Sequence, residues 1–174
     1  MTRYAAFLRG VNVGGINLKM TDVARALEHA GFGAVKTILA SGNVLLDSPL
    51  PAADVRATAE QTLRDEFGYT AWVLVYARDD LAAISAAFPF EREVDGHHSY
   101  VTFVSDADVL SALEALAADP GPDEKIQPGA GVIYWQVLRA ATVGSTMGKT
   151  MGKTRYRSST TTRNLRTIDK VLRG

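Results

Sequence analysis

The chain has 174 residues, 47% hydrophobic and 22% charged, a composition that speaks against disorder and suits one moderate domain or two small ones sharing a core. It contains no cysteine, which removes disulfides, thiolate catalysis and cysteine-bound zinc or iron–sulfur clusters, and no apolar run approaches the ~18–20 residues that span a bilayer. The formal net charge of zero hides a division: residues 1–138 hold 10 Lys and Arg against 18 Asp and Glu, whereas residues 139–174 hold 9 against Asp169 alone, so a basic segment either meets a polyanion or folds back on an acidic body.

In chain order, the apolar run at 3–9 reads as a strand that breaks into a glycine-punctuated loop at 10–17. A helix follows at about 20–30, with Val23, Ala26, Leu27 and Ala30 at helical spacing and Gly31 as the left-handed residue after the last turn. The β-rich runs 34–40 and 43–48 flank Ser41, Gly42 and Asn43, whose tolerance of positive φ predicts a hairpin. Helical spacing returns over 53–67 through Val55, Ala59, Leu63 and Phe67, ending at Gly68, and residues 70–77 form a fourth strand. The order βαββαβ is that of a ferredoxin-like plait.

The second half reads as a looser copy. A helix at 78–88 has Asp79 or Asp80 as its N-cap, and a polar loop with an Asp95-Gly96 turn holds His97 and His98. A strand at 99–105, a helix at 106–118, a short strand at 124–127 and a longer one at 131–138 come next. A helix or loop covers the Gly-, Lys- and Thr-rich stretch to about 158, before an extended Thr run and a terminal helix with Leu165, Ile168 and Leu172 on one face. The expected fold class is therefore α/β (α+β), two ferredoxin-like plait halves, 1–77 and 78–174, packed closely without a free linker.

Topology predicts a site. A right-handed crossover brings the 41–43 turn to the sheet end where the 10–17 loop lies, so Arg9, Asn12, Gly14 and Gly15 should sit near Ser41, Gly42 and Asn43. The first helix points its N-terminus the same way, which favours an anion.

Three motifs carry a resemblance: RGVNVGG, then AVKTILASGNVLLDS preceded by Gly31-Phe32, then TTRNLRTIDKVL, in that order. Together they resemble the bacterial family catalogued as domain of unknown function 1697, over nearly the whole chain. The resemblance implies paired ferredoxin-like plaits and no reaction. It also implies that motif positions fall at Arg9, Gly10, Asn12, Gly14, Gly15, Ser41, Gly42, Asn43, Thr162, Arg163, Asn164 and Thr167, with Leu165 standing where an aromatic residue is typical.

Other chemistries fit poorly. The tandem Gly148-Lys149-Thr150 and Gly152-Lys153-Thr154 leave three residues between glycines where a phosphate loop needs four, so Lys149 and Lys153 read as a cationic surface. The histidines lack metal-pair spacing, no metal or cofactor is expected, and no general acid/base pair or nucleophile elbow stands out. The leading expectation is a cytoplasmic binding module for a phosphorylated or anionic ligand, a nucleotide or RNA, held where Thr162, Arg163 and Asn164 converge on the Arg9/Asn43 end. The alternatives are an enzyme acting on a small anionic substrate, with Arg9 and Arg163 as bidentate clamps, and a protein-interaction module or homodimer built on a plait face or exposed edge strand.

Overall fold

The computed structural model describes residues 1–12 and 16–174. The first seven-residue run, β1 (Thr2–Leu8), is apolar over Tyr4–Leu8 and buried there, and it forms the axis of the first sheet. β2 (Gly33–Ile38) and β3 (Asn43–Ser48) make the predicted hairpin, and β4 (Val73–Ala77) closes the opposite edge. The order is β2-β3-β1-β4, antiparallel throughout, with Tyr4 opposite Leu46 and Ala6 opposite Val44 and Val75.

Two helices cover one face of this sheet because their apolar positions recur every third or fourth residue. α1 (Met20–His29) buries Val23, Ala26 and Leu27, and α2 (Ala52–Phe67) buries Val55, Ala59 and Leu63. They close on Leu8, Val44, Leu46 and Val73 to make the first core. α1 stops in a Schellman arrangement: Gly31, at φ +100, donates its N–H to Glu28 O at 3.0 Å, and Phe32 donates to Leu27 O at 3.2 Å.

The plan then repeats. β5 (His97–Val104), α4 (Ala107–Glu114), β6 (Glu124–Pro128), β7 (Val132–Leu138), α5 (Thr146–Met151) and β8 (Thr160–Asn164) form a second βαββαβ unit. Its sheet order is β6-β7-β5-β8, again antiparallel, so each strand takes the place of its counterpart in the first sheet. Leu113, Ile133, Trp135, Val137 and Met147 anchor its core. Asp106 caps α4 by accepting the Val109 N–H at 2.9 Å. The chain divides into two compact units, Met1–Ala82 with Lys170–Gly174, and Ala83–Asp169. The α+β class and its paired plaits match the expectation from element order.

Three local readings need correction. α3 (Arg78–Ala86) begins directly after β4, so Asp79 and Asp80 lie within its first turn instead of at the N-cap. His97 and His98 belong to β5, paired opposite Leu138 and Val137, because ladder partners distant in sequence extend the strand past the Asp95-Gly96 turn. Trp72 lies just before β4. Among the described residues, no helix is long and apolar enough to cross a membrane.

Candidate functional site

The predicted corner of the first unit exists. Leu8 donates its N–H to Gly42 O at 2.8 Å, and Asn12 Nδ2 reaches Ala40 O at 2.6 Å, so the loop after β1 and the β2–β3 turn meet at one sheet end. Gly14 and Gly15 lie outside the described residues. The polar side chains here hold the backbone. Asn12, at φ +57, gives its second amide hydrogen to Leu18 O at 3.0 Å and accepts the Leu18 N–H at 2.8 Å. Asn43 is fully buried, with Nδ2 donating to Ile38 O at 2.8 Å and Ser41 Oγ at 2.9 Å. Both amide groups thus satisfy carbonyls and hydroxyls that a tight corner would otherwise orphan. Half-buried Arg9 donates its backbone N–H to Trp72 O at 3.0 Å.

The other predicted residues lie in the second unit. Thr162, on β8, meets Thr102 across the β5–β8 ladder with Oγ1 atoms 2.8 Å apart, and Trp135 Nε1 donates to Thr102 Oγ1 at 3.0 Å. Arg163 is 8% exposed; its Nη1 donates to Thr161 Oγ1 at 2.7 Å and Thr162 O at 3.0 Å. Asn164 ends β8 and caps α6 (Leu165–Arg173), its Oδ1 accepting the Arg166 N–H at 2.9 Å.

Lys149 and Lys153 are exposed on the rim of a cavity of about 670 Å³. An internal anion sits where a bound phosphate would be sought. The Glu124 carboxylate, 8% exposed, accepts N–H groups from Gly121 at 2.7 Å, Thr146 at 2.9 Å and Met147 at 3.5 Å. Burial pushes its pKa up, but these bonds and the Thr146 side chain outweigh it and hold the carboxyl below the usual range. Gly148 serves packing: a Cβ there would lie 1.9 Å from Thr142 O.

A second cavity, of about 330 Å³, opens at the sheet end where β5 begins and β7 and β8 finish. Asn164 lines it, and so do five side chains not singled out as ligands from the sequence: Arg92, His97, His98, Arg139 and Arg166. Arg92 is locked in place. Its Nη2 reaches both Asp169 carboxylate oxygens at 2.8 Å, and the guanidinium also donates to Ser85 O at 2.8 Å and Ser85 Oγ at 3.0 Å. Arg166 makes a looser pair with Glu93 at 3.1 Å, both side chains about two-thirds exposed, a contact worth little in water. The Arg139 side chain makes no hydrogen bond or ion pair among the described residues.

The histidines report the local field. Burial first, and then the positive charges of Arg139 and Arg166, hold the His98 imidazole below the ordinary histidine pKa. His97 Nδ1 lies 2.9 Å from Asp95 O; a carbonyl only accepts, so Nδ1 carries the proton and Nε2 presents a lone pair when the ring is neutral. Among the described residues, no three His, Asp or Glu side chains converge as a metal site. The signal that could have found this cavity is topological: applied to the second plait, the strand-order argument puts residues 97, 139 and 164 at one sheet end.

No curated protein matches the chain in sequence. Among solved structures, that of a conserved bacterial protein from Streptococcus pneumoniae is similar at a TM-score of 0.81 and 22% identity, covering 99% of this chain and 97% of that one, a likeness of fold. The sequence also matches the family described as protein of unknown function DUF1697 over residues 1–134, and the chain belongs to that family.

Proposed function

We propose that the protein is a binding module for a small anionic ligand, most simply a phosphorylated one, and that the ligand is held in the second unit by Arg139 and Arg166 beside Asn164 and His98. The observation that carries the reading is the cavity of about 330 Å³ with an uncommitted guanidinium on its wall. Its volume falls at the lower end of small-ligand pockets, roughly 300–1,000 Å³. Arg is suited to the task because its planar fork matches two oxygens of a phosphate or carboxylate at once.

The small-molecule reading is favoured over a nucleic-acid strand by the aromatic side chains of the second sheet. Tyr134 and Trp135 are each 3% exposed, and Tyr100 packs against Trp135 with ring centroids 4.5 Å apart. Stacking platforms for unpaired bases are solvent-facing aromatics, whereas Tyr134 and Trp135 belong to the core and the partly buried Tyr100 packs against it. The reading draws on neither Arg9 nor Arg163.

A thermal-shift panel of inorganic phosphate, nucleoside monophosphates, sugar phosphates and organic acids tests it. A ligand at 100 times its Kd stabilises by about 2.7 kcal/mol, a readily measured shift. The expected result is stabilisation of the wild-type chain by a phosphorylated member and loss of that shift in the Arg139→Gln/Arg166→Gln variant. No shift from any compound, or the same shift in the double variant, would contradict the reading.

A further inference from the structure

We propose that the cavity of the second unit takes up a tetrahedral dianion, a phosphate monoester or sulfate, together with one proton that goes to His98. The inference rests on the anion-binding reading above and adds to it the charge of the ligand and a dependence on pH.

The argument is one of charge matching inside a small volume. Besides His98, the charged or titratable groups facing the cavity are Arg92, Glu93, His97, Arg139, Arg166 and Asp169, and the Tyr100 ring packs on His98 with centroids 5.3 Å apart. Arg92 and Asp169 neutralise one another through their ion pair, in which Nη2 reaches both carboxylate oxygens. Glu93 offsets Arg166. With both histidines neutral, the wall therefore has one positive charge in excess, enough to match a monocarboxylate and one short of a dianion.

His98 is the group placed to supply the second charge. Burial first, and then the positive charges of Arg139 and Arg166, disfavour its protonated form. An anion seated against those two guanidiniums cancels their effect and puts its own negative charge beside the ring, so ligand and proton favour each other. The sign follows: affinity for a dianion rises as pH falls through the His98 titration, and binding raises the His98 midpoint. A monoanion, already matched, gains far less.

Sulfate is the right first probe because it stays a dianion across the histidine range, whereas phosphate titrates there itself. Residue-resolved imidazole NMR of the wild-type chain, from about pH 5 to about pH 8 at fixed ionic strength, reads the His98 midpoint with and without sulfate, against acetate as the monoanion. Binding measurements at about pH 5.5 and about pH 8 read the reciprocal effect. Sulfate is expected to bind about fivefold or more tightly at the lower pH and to raise the His98 midpoint, with acetate changing by less than about twofold. His98→Gln should flatten the sulfate dependence. Equal sulfate affinity at both pH values, or a midpoint that moves on His97 and not on His98, overturns the proton uptake while leaving anion binding intact; no sulfate binding at either pH overturns both.

Discussion

Gly42 answers to two constraints at once. Its φ is +88, and a Cβ built there would stand 2.9 Å from Leu8 Cβ, an atom fixed to the backbone of β1 and unable to swing aside. Gly42→Ala should therefore destabilise the protein by about 2–4 kcal/mol, the sum of left-handed strain and overpacking, read as a lower urea midpoint with little change in slope. A loss below about 0.5 kcal/mol would contradict the geometry. The sequence marks Asn12, Gly42 and Asn43 correctly as a meeting of loops, and it does so through turn chemistry that bracing and binding share. What a string of letters leaves open is where each amide hydrogen goes, and here those of Asn12 and Asn43 go to Leu18, Ala40, Ile38 and Ser41. The residues of the second cavity were harder to see. Arg92, His98, Arg139 and Arg166 come from four segments with no shared spacing; strand pairing brings His98 to the ends of β7 and β8, where Arg139 and Arg166 follow, and the bonds to Asp169 and Ser85 add Arg92.

At the scale of elements, α5 shows how a short helix is kept in place. With six residues it is too short to stand alone, and it is tied to β6 by the Glu124 carboxylate, which accepts the Thr146 and Met147 N–H groups at its start. The same contact accounts for the tandem Gly-Lys-Thr sequence behaving as structure: the anion at the head of the helix is the protein's own. Because the folded pKa of Glu124 lies below its unfolded value of about 4.3, its contribution is present above that value and is lost as pH falls through the folded pKa. Glu124→Gln should cost about 1–2 kcal/mol at neutral pH and progressively less as pH falls through the folded carboxyl's depressed pKa, where the wild-type chain takes up the proton itself. Equilibrium urea unfolding across that range checks it, and an equal cost at all pH values would contradict the assignment. Strand and helix existence was legible here from periodicity alone. The start of β5 was not, since Asp95, Gly96, His97 and His98 have loop composition and become strand through bonding to β7.

Over the whole molecule the repeated βαββαβ order could be read from period and punctuation, and the two sheets realise it strand for strand. The uneven charge is only partly spent within the chain. Arg166 pairs with Glu93 and Asp169 with Arg92 across the divide at residue 138, whereas Arg139, Lys149 and Lys153 make no ion pair among the described residues. Of these three, Arg139 faces a cavity that also presents a second guanidinium and an imidazole sensitive to both. That placement singles out one anion site from a generally basic segment. The most direct measurement is a two-dimensional amide NMR titration of the intact chain with sulfate at about pH 6, near the histidine midpoint. The account predicts saturable shifts centred on His97, His98, Ser99, Arg139, Asn164 and Arg166; shifts centred on Lys149 and Lys153 or on Asn12 and Ser41, or none that saturate, would contradict it.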